Sequence, residues 1–205
     1  NQMQMMIAPI QPHFLYNSLT ALAQLCSKDP KEAKKAIINF ADYWRNHINA
    51  IDKKESIPFE EELKYVKIYL YLEKLRFGDD LHVEYDLQKT DFKVPMLSVQ
   101  PFVENAINHG FRRMTKPCCI EITMKLFGAQ LYIRIRDNGC GLPQELVNEL
   151  NNKNSSDGNH VGVANVRKRL ELYYGEEHEM YFESREGEGT SVHLFICAEG
   201  GRRAE

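Results

Sequence analysis

No apolar run in this chain of 205 residues approaches the roughly 18 needed to cross a bilayer, and no signal-peptide pattern opens it. An excess of one charge is also missing. Lys and Arg number 26 against 29 Asp and Glu, a net charge of -3, which gives no electrostatic reason to expect direct contact with DNA or RNA. Cysteines at CxxC spacing are absent. The five present, Cys26, Cys118, Cys119, Cys140 and Cys197, are odd in number, and the adjacent Cys118 and Cys119 are badly placed to share a metal with the distant others. Incidental thiols in a reduced intracellular protein are the expectation. No internal repeat or low-complexity tract appears. With 43% hydrophobic and 27% charged residues, the chain can bury a core and is not of disordered composition. It opens at Asn1 within what reads as a helix, so a piece of a longer protein is expected.

The pattern changes near residue 80. Before it, apolar residues recur at helical intervals: Met3, Ile7, Ile10 and Phe14; Ile37, Ala41, Trp44 and Ile48; Phe59, Leu63, Val66 and Leu70. Asp29, Pro30 and Glu32 read as N-cap, first position and third position of a second helix. A third should start near Pro58, with Glu60, Glu61 and Glu62 complementing its dipole, and end at Gly78. After residue 80 the period becomes two. Ile120, Ile122, Met124 and Leu126 alternate with polar residues, as do Leu131, Ile133 and Ile135, and Gly128-Ala129-Gln130 supplies the turn. Strands around Glu179 to Ser184 and at Val192 to Ile196 complete the set, with helices near Leu97 to His109 and Val163 to Tyr174. The expected fold class is α+β: a sandwich of one mixed sheet with helices on one face, preceded by a helical region.

Three polar clusters exceed what a core needs. Gln100 to Gly110 puts Phe102, Val103, Ala106 and Ile107 on one helical face and Glu104, Asn105, Asn108 and His109 on the other. Asp137-Asn138-Gly139-Cys140-Gly141 stands where a strand stops, with glycines that permit close backbone approach. Finally, a polar loop (Asn151 to His160) runs into a helix opened by Gly162, where backbone N–H groups and the helix dipole suit an anion such as phosphate. A solvated helix face, an ordinary turn and a packing glycine are the plain alternatives for each cluster taken alone.

In order and spacing, these clusters resemble the N, G1 and G2 boxes of the GHKL ATP-binding fold, and Gly187-Glu188-Gly189-Thr190 resembles its glycine–threonine element. Gln11 to Leu19 resembles the phosphoacceptor box of LytS-type sensor histidine kinases. Tyr69 to Phe77 and Gln100 to Gly110 are similar to further stretches of that family. The resemblance implies a helical dimerisation and phosphoacceptor region over 1–78 and an ATP-binding domain over 79–200. It implies autophosphorylation on His13 with ATP and Mg²⁺, then transfer to an aspartate of a response regulator. Apolar stripes on three helices exceed what one small sheet domain can cover, so a homodimer is expected, and the resemblance implies a cytoplasmic portion of a bacterial inner-membrane sensor attached through segments upstream. Imidazole suits the task, being largely unprotonated near neutral pH and nucleophilic at its free nitrogen.

The same resemblance assigns the site. Asn105 coordinates Mg²⁺, and Glu104 polarises the attacking imidazole or a metal-bound water. Asp137 accepts from the adenine amino group, with Gly139 and Gly141 making room for the base. Gly162 and the N–H groups after it, from Val163 onward, bind phosphates; Asn165 supports the lid helix, Arg169 adds positive charge, and Thr190 is a further nucleotide-binding residue. Asn17, one turn beyond His13, orients the imidazole, holds a water for dephosphorylation, or is a plain surface residue. His47, His82, His178 and His193 read as ordinary surface or strand residues. There are two departures from the family pattern. Asn108 stands where many relatives carry Lys, leaving His109, Arg112 or Arg113 as replacements, and His160 stands for the middle glycine of the lid, where it can touch phosphate. They keep open an alternative, a non-catalytic nucleotide-binding regulatory module of the same fold.

Overall fold

The structure, a computed structural model, describes residues 12–49, 56–88, 91–111, 117–152 and 161–197. The helical region comprises α1 (Pro12–Lys28), α2 (Pro30–Asn49) and α3 (Phe59–Phe77). Asp29 caps α2 as expected: its Oδ1 accepts from the amides of Lys31 at 3.1 Å and Glu32 at 3.0 Å. Gly78, at φ 60°, ends α3 where a side chain would be strained. Phe59, Leu63, Val66 and Leu70 are all buried, as their spacing predicts. The stripe on α2 behaves differently. Ile37 and Ile48 are 47% and 46% exposed, and the packed face lies beside them at Ala33, Ala36, Tyr43 and His47. His47, expected at the surface, is therefore a buried helix residue.

The sheet holds β2 (Leu81–Leu87), β4 (Cys118–Phe127), β5 (Gln130–Asp137), β6 (His178–Arg185) and β7 (Gly189–Cys197) in the order β2-β4-β5-β7-β6. Only β2 and β4 run parallel, so the chain must cross the sheet between them, and this crossover carries α4 (Gln100–Asn105). Before α4, β3 (Lys93–Pro95) pairs with β1 (Ser56–Pro58), joining the entrance of α3 to the approach of α4. Two more helices follow, α5 (Gln144–Asn151) and α6 (Val161–Tyr174).

Period-two patterning does the work it predicts. Ile120, Ile122, Leu131, Ile133, Leu194 and Ile196 are at most 1% exposed and meet α4 and α6, while Glu121, Lys125, Tyr132 and Arg134 face outward. Phe102 of α4 meets Phe182 of β6 edge-on, with centroids 6.0 Å apart. One hydrophobic cluster runs from Phe14 and Tyr43 through α3 and α4 into the sheet. No helix among the described residues is long and apolar enough to cross a membrane.

No periodicity in the sequence marked α5 as a separate helix. It guards the open edge of β6, where Asn151 Nδ2 donates to the Phe182 carbonyl at 2.9 Å and its Oδ1 accepts the Phe182 amide at 2.7 Å. Those two bonds occupy backbone groups that an edge strand otherwise leaves open to another chain.

Candidate functional site

Asp137 continues the inward row Leu131, Ile133, Ile135, so alternation delivers a carboxylate to the end of an apolar stripe. It is 6% exposed. Burial pushes its carboxyl up to about 6, against the opposing hydrogen bonds from the Gly139 and Thr190 backbone amides. The Gly139 amide lies 2.7 Å from Oδ1. Glycine is required around it. A Cβ on Gly110 would stand 3.0 Å from Oδ1, and one on Gly139 would stand 2.4 Å from the Gly110 carbonyl. Gly141, at φ 68°, would place a Cβ 1.8 Å from the Arg185 carbonyl. Gly139 and Gly141 were expected to clear space for a base. The room they leave is taken up by the chain itself, drawing three loops onto the carboxylate. Cys140 completes the closure, its amide donating to the Gly110 carbonyl at 2.7 Å.

A cavity of about 620 Å³ touches Asp137, Gly189 and Thr190, but it also reaches Arg134, Arg136 and His193. Arg134 and Arg136 alternate with buried neighbours, so part of this opening lies over the outward face of the sheet, while Gln144, Val147 and Asn151 of α5 line another part. His193 is also a strand residue, covered there by Tyr132, whose hydroxyl is 2.9 Å from Nδ1.

The polar helix is built in two parts. α4 is α-helical to Asn105, and Ala106–Gly110 continues as a π turn, a widening often found at functional sites. Glu104 does not join the polar face. It is 9% exposed, and its Oε1 accepts from Tyr43 Oη at 2.9 Å and Gln100 Nε2 at 2.8 Å. Burial pushes its carboxyl up, with the two hydrogen bonds acting in the opposite direction. The expectation that it faces the reacting centre therefore meets a carboxylate turned toward α2. Asn108 Nδ2 donates to the Glu104 carbonyl at 2.8 Å, so this amide is spent within the helix. Asn105 is half-buried and makes no side-chain hydrogen bond to a described residue, and His109 is exposed. An Asn105 amide without a hydrogen-bond partner among the described residues, on the helix that leads to Gly110 and the Asp137 cradle, fits a hydrated divalent cation on a triphosphate.

On α6, Gly162 is half-buried in the first turn and Val163 is packed into the core. The Asn165 Nδ2 is buried with no partner among the described residues, a donor suited to a phosphate oxygen. Arg169, expected to supply charge to phosphate, is otherwise occupied. Its Nη1 donates to the carbonyls of Met96 at 2.7 Å and Leu97 at 3.0 Å. Thr190 bonds Ser184 through its hydroxyl at 2.9 Å. His160, Arg112 and Arg113 lie outside the described residues.

Glu62 is a residue whose importance the sequence hid. It was counted with Glu60 and Glu61 as a dipole partner, yet it is 1% exposed and caps a different helix. Its carboxylate accepts the amides of Leu97 at 2.9 Å, Val99 at 3.0 Å and Gln100 at 3.3 Å, the start of α4.

His13 is exposed on the first turn of α1, with Asn17 Nδ2 3.0 Å from Nδ1 and 3.3 Å from Nε2. The amide is held over the imidazole edge, as one turn of spacing predicts. Phe14 faces the other way, its ring centroid 5.1 Å from Tyr43 and 5.0 Å from Tyr69. So α1 shows its histidine to solvent while anchoring through the next residue.

Residues 1–81 match the family described as histidine kinase, and residues 93–200 match the histidine kinase-, DNA gyrase B- and HSP90-like ATPases. The chain belongs to the histidine kinases. It is 36% identical over 168 residues to the sensor histidine kinase YpdA of Escherichia coli, covering 82% of this chain and 29% of the relative. It is 31% identical over 196 residues to the sensor protein LytS of Enterococcus faecalis, covering 94% of this chain and 33% of LytS. The chain thus spans about a third of these relatives. Among solved structures, the histidine kinase domain of the Erythrobacter litoralis blue-light activated kinase superposes with a TM-score of 0.52. That match covers 92% of this chain and 95% of the other at 16% identity, a likeness of fold. The histidine kinase core is closely related to the LytS sensors, and its sandwich with a preceding helical region matches the fold expected.

Proposed function

We propose that the chain phosphorylates itself on His13 with ATP and passes the phosphoryl group to an aspartate of a receiver protein. The carrying observation is an exposed imidazole on a helix that packs through Phe14 onto Tyr43 of α2, whose hydroxyl in turn bonds Glu104 on the helix bearing Asn105. A ring nitrogen of His13 attacks the γ-phosphorus; the P–N bond forms as the bond to the β-phosphate oxygen breaks, and ADP leaves. The ring proton passes to solvent. Asp137 accepts from the adenine amino group, Asn165 Nδ2 and the N–H groups of Gly162 and Val163 face the phosphates, and Asn105 holds Mg²⁺. That ion, when bound, neutralises charge developing on the phosphate oxygens. Asn17 orients the imidazole when its amide oxygen accepts the ring N–H, which leaves the other ring nitrogen free to attack.

Residues 1–78 then serve as the phosphoacceptor and dimerisation region and 79–200 as the ATP-binding domain, in the cytoplasmic portion of a membrane sensor. Support for pairing comes from Tyr16, Leu19, Ile37, Ile38 and Ile48, large apolar side chains left exposed on α1 and α2. Incubation with ATP and Mg²⁺ should give acid-labile, alkali-stable phosphate that disappears in His13→Gln. Label persisting in that variant removes His13 from its role.

A further inference from the structure

The helical region grips α4 at two places. Glu62 of α3 holds the amides at its start, and Tyr43 of α2 holds Glu104 in its last turn. The helix between is six residues long and ends in a π turn. A helix this short has too few hydrogen bonds of its own to set its orientation, so its rotation is fixed by what grips it. Glu104 immediately precedes Asn105. A rotation of about 20° about the axis carries a side-chain tip some 6 Å out through roughly 2 Å, and misplacement of about 1 Å near reacting groups can cost on the order of a hundredfold in rate.

Tyr43 is placed to set that rotation. It is 2% exposed, and its ring is wedged among Phe14 at 5.1 Å, His47 at 5.8 Å and Tyr69 at 5.9 Å. One face of this wedge is the residue following His13. Its hydroxyl bonds the residue preceding Asn105, across 61 positions of sequence. The hydroxyl and Gln100 Nε2 are the two donors to a single carboxylate oxygen. Without the hydroxyl, a buried carboxylate keeps one donor at that oxygen and must turn to find another.

We infer that Tyr43 is a positioning residue: through Glu104 its hydroxyl fixes the rotation of α4 that aims Asn105, while its ring seats the helix that carries His13. This rests on the reading above in which Asn105 holds the metal.

The test is nucleotide binding by calorimetry on the 205-residue chain, with ATP in EDTA and across a Mg²⁺ titration. Tyr43→Phe keeps the ring and removes the hydroxyl. Metal-free ATP affinity should stay within about twofold of the parent, while the Mg²⁺ concentration that half-restores tight binding should rise about fivefold or more. A purely structural role would weaken both arms together, and that outcome, or an unchanged Mg²⁺ titration, overturns the inference. Asn105→Ala in the parent separates the two readings. If that variant leaves the Mg²⁺ dependence intact, the metal assignment itself has failed; if it abolishes the dependence and Tyr43→Phe does not alter it, only the role of Tyr43 has failed. Should circular dichroism show Tyr43→Phe unfolded, Glu104→Asp draws the carboxylate away from the hydroxyl and carries the same test, with the same shift expected and an unchanged titration overturning it.

Discussion

Glu62 accepts the Leu97 amide at 2.9 Å, joining the first turn of α3 to a turn 35 residues later. Leu97 is the one non-glycine residue with positive φ among the described residues, at 59°, a conformation that costs an L-residue about 1–2 kcal/mol. The same turn is held from its carbonyl side by Arg169. Glu62→Ala leaves three buried amides without this acceptor and should destabilise the chain by about 3–5 kcal/mol. Glu62→Gln, which keeps one acceptor oxygen, should cost about 1–2 kcal/mol. Urea denaturation followed by circular dichroism checks both, and equal costs would show that the oxygen Gln retains contributes nothing once the charge and the second acceptor are gone.

Asp137 predicts a conflict between stability and binding. Its folded carboxyl titrates near 6, above the ordinary 3.8, because burial disfavours the anion. The sign follows from linkage: the stabilising contribution is fully present below 3.8 and is lost as pH rises through about 6. At neutral pH the ionised group therefore holds the fold below its potential stability by on the order of 3 kcal/mol. Asp137→Asn should raise the melting temperature at pH 7.5, with the gain shrinking toward pH 4, while abolishing ATP binding. A variant that melts lower at pH 7.5 would show that the carboxylate stabilises the loops more than burial strains it.

The cradle glycines rank by what their hydrogens face. Gly139→Ala drives a methyl against the Gly110 carbonyl and the Asp137 carboxylate, and Gly141→Ala drives one into the Arg185 carbonyl at positive φ. Each should cost about 3 kcal/mol or more and weaken nucleotide binding. Gly128→Ala shares the positive φ, at 61°, yet meets nothing within 4 Å, so it should cost only about 1 kcal/mol and leave binding alone. Thermal melts of the three variants decide whether space or backbone conformation dominates.

Exposed isoleucines on α2 make pairing testable. Ile38, 52% exposed, can become Glu with little effect on a monomer, within about 0.5 kcal/mol. If α1 and α2 pair with a second copy, Ile38→Glu should convert a sedimenting dimer to monomer at micromolar concentration. A parent chain already monomeric under those conditions would end the dimer proposal.

Much of the architecture was legible because local rules and tertiary packing agree. Asp29-Pro30 and Gly78 bound helices through groups within a few residues, and alternation in β4 and β5 fixes which residues face the core. The order of the polar clusters pointed to the family. The exposed face of α2 was not separable from its packed face, since Ile37 and Ile48 look like core by spacing and Tyr43 does not. A stripe records that an apolar face is covered, not by which chain.

By itself the sequence determined most of the helices and the strands β4 to β7, the switch from helical to alternating period, the exposed histidine beside a buried phenylalanine, and the carboxylate at the end of β5. Only tertiary structure decided what Glu62, Glu104 and Arg169 do. Each is charged and sits on a helix, where the expectation is a solvated or ligand-facing side chain, and each instead turns inward to satisfy polar groups from another element. The physical reason is that α4 is too short to organise itself and lies buried within the crossover. Its amides, carbonyls and carboxylate must find partners, and those partners come from residues far away in the chain.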